Sequence, residues 1–228
     1  VADGWSMEII VTELEQLYRM LISEASLPPG ELELQYADYA VWQRKAARDG
    51  GLEPELRYWA QQLEGAPTVL DLPADHRRPP VRSSRGGTVA FEIGPGLAED
   101  LRVLGQDAEA TRYMVLLAAF STFLYRIGGQ DDVVIGSPVA GRTRRELEPL
   151  IGFFVNTLPL RCQLTGNPTF QELLSRVKRT VADAYGHQHL PFEKLVERLN
   201  PDRNPSHTPI FQVVFGYQES PPPGVSLP

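Results

Sequence analysis

The stretch 112–127, "RYMVLLAAFSTFLYRI", sets the strongest limit on what this chain can fold into. Its apolar residues lie on nearly every side of a helix, so the helix must be buried on most sides. Thr111 is placed to cap its first turn. Past Gly128–Gly129 the chain reads "DDVVIGSPV", a short and mostly apolar run that predicts a strand. A buried helix feeding a strand calls for layers on either side. The 228 residues suffice for that, since a chain of this size can bury roughly 70% or more of its unfolded surface.

The flanking segments supply the layers. Ile10, Leu14, Leu17 and Leu21 recur at helical spacing within 6–22, with Ile9 and Tyr18 beside them. Pro28, Pro29 and Gly30 break that run. Segment 35–48 carries Tyr36, Tyr39, Ala40 and Gln43 on one face. Segment 53–64 carries Leu56, Trp59, Ala60 and Leu63. Residues 65–87 are proline-rich and read as a long connector. "TVAFEI" at 88–93 alternates as a strand does, 97–109 reads as a helix, and 155–164 as a second strand. The cleanest helix is "NPTFQELLSRVKRTVADAY", with Asn167 at its cap, Pro168 in its first turn and Gly186 at its end. A short helix at 191–199 and a strand at 210–217 follow, and 216–228 reads as a linker. Strands alternating with helices predict an α/β fold, a mixed α+β layered sandwich.

Composition excludes several classes. A net charge of −7 argues against nucleic acid as a partner. No apolar run approaches the ~20 residues of a membrane span, and no signal peptide opens the chain. The single cysteine, Cys162, rules out an internal disulfide and points to a reducing, cytoplasmic setting. Its place in an alternating strand suits small core filler.

Motifs for familiar chemistry are missing. There is no glycine-rich phosphate loop and no nucleophile elbow, because Pro138 follows Ser137 directly. His76, His187, His189 and His207 lack metal-ligand spacing, so no metal is expected. Three residues stay open to more than one role. Asp3 suits a helix cap, and equally a buried acid paired with Arg85. Arg85 abuts Gly86–Gly87, where a backbone can approach closely. Asn156 could face a cavity or simply open a strand.

Longer phrases are more specific than composition. "DGWS" (3–6), "YADYAVWQR" (36–44), "IGFFVNTLPLR" (151–161), "HQHLPFEKLVERL" (187–199) and "RNPSHTPIFQVVF" (203–215) occur in that order. Together they closely resemble the later core motifs of condensation domains in non-ribosomal peptide synthetases. The resemblance runs over 1–215, and the tail at 216–228 resembles the linker toward an adenylation domain. It implies the C-terminal lobe of a domain built from two chloramphenicol-acetyltransferase-like lobes, with a tunnel between them. Two phosphopantetheine arms would enter that tunnel, one from an upstream donor and one from a downstream acceptor peptidyl carrier protein, with no cofactor bound by the domain itself. The reaction implied is amide formation between a donor thioester and an acceptor amine. Non-catalytic docking modules, which recruit carrier proteins or a tailoring enzyme, and epimerisation or heterocyclisation domains are the alternatives.

The family's central motif is His-His-x-x-x-Asp-Gly. Asp3 and Gly4 match its end, and counting back places the second histidine two residues before Val1. The N-terminal lobe would then be a missing partner, its contact face would be left exposed, and the chain alone would be inactive. By the resemblance Asp3 is the structural aspartate that pairs with an arginine, expected here as Arg85, and Gly4 lies beside the reacting centre. Trp5 and Ser6 frame the same loop, and Asn156 lines the active-site region. Ser137, Gly152, Phe153 and Phe154 belong to the substrate tunnel and lobe crossover.

Overall fold

The computed structural model describes residues 1–23, 32–76, 78–199 and 205–218. The break expected at Pro28–Gly30, Arg77 and most of the 216–228 linker lie outside these. The chain divides into two compact units, one formed by Val1–Pro54 and Val139–Asn156, the other by Glu55–Pro138 and Thr157–Tyr217.

The second unit is organised around the helix that the sequence marked as buried. Here α4 is Pro95–Asp107, α5 is Arg112–Gly128 and α6 is Phe170–Gly186. Thr111 caps α5, its hydroxyl accepting from the Met114 N–H at 3.3 Å, and Gly129 closes it in the left-handed conformation. Val115, Leu117, Ala118, Ser121 and Leu124 are buried along it. It packs against both α4 and α6. The strands β1 (Asp132–Val139) and β2 (Asn156–Gln163) pair as a two-stranded sheet. Cys162 is buried in β2, and burial pushes its thiol up to about 11, so it stays an inert filler. Arg161 fixes one end of the sheet. It meets Asp132 at 2.7 Å and donates to the carbonyls of Gln62 and Glu64, at and just past the end of α3 (Glu53–Gln62).

Three local expectations are corrected. Segment 88–93 is no strand, and Phe91 there is 84% exposed. Its alternation is present, but among the described residues no neighbouring strand takes up its backbone groups. The run at 210–217 makes one parallel bridge, Gly136 to Val214, because Ile210 at φ 69 turns the chain where the strand should begin. The cap of α6 is Thr169 rather than Asn167. The Thr169 N–H donates to Glu172 Oε2 at 2.7 Å and the Thr169 hydroxyl accepts from the Glu172 N–H, a reciprocal pair that fixes the start. Asn167 instead turns the chain at φ 50. The connector at 65–87 is irregular as expected, yet it is pinned. Leu70 N–H donates to the Gln212 side chain and Asp71 N–H to the Gln130 side chain, both at 2.6 Å.

The first unit holds α1 (Gly4–Ile22), α2 (Tyr36–Arg48) and a short 3-10 turn, Arg145–Leu147. Its core is small: Leu147, Leu150 and Phe154, with Tyr36 and Tyr39 packed against them. Phe154 meets Tyr36 edge-on at 5.1 Å and Tyr39 at 4.8 Å, a geometry favoured by the ring quadrupoles. Helix α1 contributes little to this core. Ser6 is its one buried residue, and Leu14, Leu17 and Leu21 of the apolar stripe are exposed, Leu21 at 80%.

Two glycines let the first unit close. Gly141 adopts φ 68, and a Cβ there would collide with the Phe154 carbonyl. A Cβ on Gly152 would enter the Tyr36 ring. Gly4 has open space around it. Gly141→Ala and Gly152→Ala are each expected to destabilise by about 1–3 kcal/mol or more. Gly4→Ala is expected to be neutral or slightly stabilising. Denaturant midpoints of the three variants check this, and equal midpoints would refute the close packing.

Candidate functional site

Asp3 begins the site, directly before α1. Its backbone is extended, at φ −93 and ψ 176, and its carboxylate Oδ1 accepts from the Ser6 N–H at 2.8 Å. That makes it the N-cap of α1, as Asp-Gly before an apolar helix predicts. The same carboxylate reaches across the unit. Oδ2 accepts from the Phe154 N–H at 2.9 Å, and Oδ1 also meets Arg142 Nη2 at 3.2 Å. The Asp3 N–H donates to the Gly152 carbonyl at 3.0 Å.

Ser6 completes the join. Its hydroxyl accepts from the Gly152 N–H at 3.0 Å and from Arg142 Nη2 at 2.8 Å. Its one proton has two acceptors in reach, Asp3 Oδ1 at 2.7 Å and the Gly152 carbonyl at 2.8 Å. The first turn of α1 is thus stitched to 152–154 through backbone and side chain together.

Arg142 is the hub. Nη1 donates to the carbonyls of Leu147 and Leu150 at 2.5 and 2.7 Å, while Nη2 serves Asp3 and Ser6. The guanidinium carbon lies 4.1 Å from the centroid of Phe154 and 5.6 Å from that of Trp5, within cation–π range of both. The Arg142 and Asp3 side chains are each 1% exposed. Arg142 Nε is buried without a partner among the described residues. Trp5 donates its indole N–H to the Glu148 carbonyl at 3.1 Å.

Burial pushes the Asp3 carboxyl up. The Ser6 hydroxyl, the N–H groups of Phe154 and Ser6 and the Arg142 charge outweigh it, so its pKa lies below the ordinary value. A carboxylate so held is ionised at neutral pH and has its oxygens occupied. It is suited to fixing a loop and unsuited to carrying a proton during a reaction.

The arginine that meets Asp3 is therefore Arg142, which corrects the expectation of Arg85. Arg85 is exposed, and its backbone N–H faces the Ser83 hydroxyl at 3.4 Å. The cue for Arg85 is a strand starting after Gly86–Gly87, and that strand does not form. The same cue, an arginine beside a glycine at a strand end, also stands at Gly141–Arg142 just after β1 and could have drawn attention there. Asp3, Trp5, Ser6, Gly152 and Phe154 come together as one cluster. Phe153 is half-exposed, and its carbonyl accepts from the Tyr36 hydroxyl at 3.0 Å. Asn156 opens β2 half-buried, two positions past Phe154. Ser137 belongs to the other unit, where it is buried on β1, 2.6 Å from the Tyr113 hydroxyl. Burial raises that phenol to about 12. Among the described residues no cluster of His, Cys, Asp and Glu could hold a metal. No helix there is long and apolar enough to cross a membrane.

The family model of the condensation domain matches residues 1–222, so the chain belongs to the condensation-domain family. It is 49% identical over 218 residues to one of the linear gramicidin synthase proteins of Brevibacillus parabrevis, covering 96% of this chain and 4% of that protein. Among solved structures it resembles the X-domain from teicoplanin biosynthesis, at a TM-score of 0.86 and 32% identity, over 93% of this chain and 48% of the X-domain. The same domain in complex with OxyB gives a TM-score of 0.85. The condensation domain of the monacolin K polyketide synthase MokA matches at a TM-score of 0.81 and 29% identity, over 94% of this chain and 50% of that one. The chain thus has the mixed α+β fold of known condensation domains and spans about half of the domain.

Asp3→Asn keeps the cap acceptor and removes the charge, leaving Arg142 buried without a counter-ion. The expected cost is about 3–5 kcal/mol. Because the folded pKa of Asp3 is depressed, the stability it adds is present above its unfolded pKa, about 3.9, and is lost as pH falls through the folded value. Denaturation from mildly acidic pH downward should show a steeper loss in the wild type than in Asp3→Asn. Parallel curves would contradict the assignment.

Proposed function

We propose that this chain is the later half of a condensation domain that joins a carrier-bound donor thioester to a carrier-bound acceptor amine. The observation that carries this is the dry Asp3–Arg142 pair. It stands where the family motif has its loop-holding aspartate, next to Gly4, in a chain that belongs to the family. The pair holds Asp3 and the first turn of α1 against 152–154.

The chemistry needs alignment more than activation. The acceptor nitrogen attacks the donor carbonyl, a C–N bond forms, the C–S bond breaks, and the thiol departs while the amine sheds a proton. An α-amine has a pKa near ~8, so part of it is already neutral at cellular pH. Holding amine and thioester in attack geometry can lower the barrier by several kcal/mol. In this reading both substrates ride on phosphopantetheine arms of carrier proteins. Asn156, Gly152 and Phe153 border their path, and Asp3 and Arg142 hold the loop. An adenylation domain follows the tail, and the setting is cytoplasmic. The N-terminal lobe is the partner for the exposed stripe Leu14–Leu17–Leu21 of α1, an apolar surface that calls for a cover.

A complete domain carrying this chain should form the amide from loaded carrier proteins, detected by mass. Arg142→Ala should slow it about 100-fold, more than its effect on the folded fraction. A well-folded wild-type domain that forms no amide sinks the proposal. A second reading has its own support in the likeness to the X-domain, a structure of which shows it in complex with OxyB. In that case the domain would be inert toward thioesters and would bind a partner enzyme.

A further inference from the structure

The Arg142–Asp3 pair is almost wholly shielded from water, yet one of its two aromatic neighbours stands at the surface. Phe154 is a core residue, buried among Tyr36 and Tyr39. Trp5 is 44% exposed and has no such duty. Its ring lies within cation–π range of Arg142, and its N–H is tied to the Glu148 carbonyl. Arg142 holds the carbonyls of Leu147 and Leu150, on either side of Glu148. Ring, cation and turn thus form a closed set: the indole is anchored to the turn that the cation organises.

We propose that Trp5 is a positioning residue for condensation, a lid that keeps the Arg142–Asp3 pair dry and in one arrangement. This rests on the function proposed above. Coulomb attraction between the two charges scales inversely with the local dielectric, so admitting water weakens it sharply. A weakened pair still caps α1 through Asp3 and Ser6, and the fold persists. What is lost is the single orientation of the residues entering Asp3, and small misplacements at a reacting centre are costly. The surface position of Trp5 makes the idea testable, since removing it opens no core cavity.

The test uses a complete domain with loaded carrier proteins. Trp5→Ala is expected to slow single-turnover amide formation about tenfold or more, with KM for both carriers unchanged. The remaining rate should fall further as salt is raised, because a hydrated pair is screened and a buried one much less so. Trp5→Phe, which keeps the ring and loses the N–H, should restore most of the rate and its indifference to salt. Wild-type rate in Trp5→Ala overturns the proposal. So does a rate loss that matches the loss of folded protein by near-ultraviolet circular dichroism, is indifferent to salt, or is not rescued by Trp5→Phe. A readout independent of turnover separates this idea from the proposed function. In nitrogen-15 spectra the Arg142 Nε–H should exchange slowly with water in the wild type and faster in Trp5→Ala. Equal exchange overturns the lid even where the wild type makes no amide, and a faster exchange supports it in the same case.

Discussion

The first unit depends on a buried ion pair whose value is geometric. Taking a guanidinium and a carboxylate out of water costs several kcal/mol per ion, and their attraction alone does not guarantee a return. Here the surroundings offset that cost. Asp3 accepts from Arg142, from two backbone N–H groups and from Ser6, while Arg142 satisfies two carbonyls, a carboxylate and a hydroxyl. An apolar pair of similar volume could fill the space, but it could not specify which carbonyls, which N–H and which turn of helix meet. The pair converts a loop of few core residues into one defined shape.

The second unit obtains its order by ordinary means. Helix α5 is buried against α4 and α6, and the apolar residues Val133, Val134 and Ile135 of β1 are buried as well. Polar groups enter at the margins. Arg161 joins Asp132 to a carbonyl at the end of α3, and Gln130 and Gln212 hold a connector that forms no strand among the described residues. The contrast with the first unit is physical. Where apolar area is plentiful, packing defines the structure and polar contacts trim it. Where it is scarce, a polar network must set the geometry itself.

That contrast also explains what the sequence could reveal. Helical periodicity located α1, α2, α5 and α6 because each pattern is local and repeated. The N-cap role of Asp3 was legible for the same reason, its partner Ser6 being three positions away. Arg142 was not legible, since it lies 139 positions from Asp3 and nothing in its own neighbourhood states which carboxylate it meets. The strand expected at 88–93 failed on the complementary point. Alternation shows that a segment can pair, but a ladder needs a partner, and that partner is not a property of the segment. Thr169 displaced Asn167 at the start of α6 because the threonine–glutamate box satisfies two backbone groups reciprocally. The ordered motifs carried the family further than spacing could, because they record combinations of distant residues that local rules do not reach.

Helix α1 shows how the two kinds of order can be separated along one element. Its first turn is fixed by polar contacts, with the Asp3 carboxylate, the Ser6 hydroxyl and the Trp5 indole all reaching the 142–154 segment. Its remaining turns carry an apolar stripe that stays exposed. A helix held only by its stripe would take its register from whatever covers it, and small shifts of that cover would pass to its first turn. Pinning the first turn through hydrogen bonds breaks this dependence. The end nearest Asp3 keeps its position whatever the stripe contacts, so an interface can form, slide or open along α1 without disturbing the join between its first turn and 152–154.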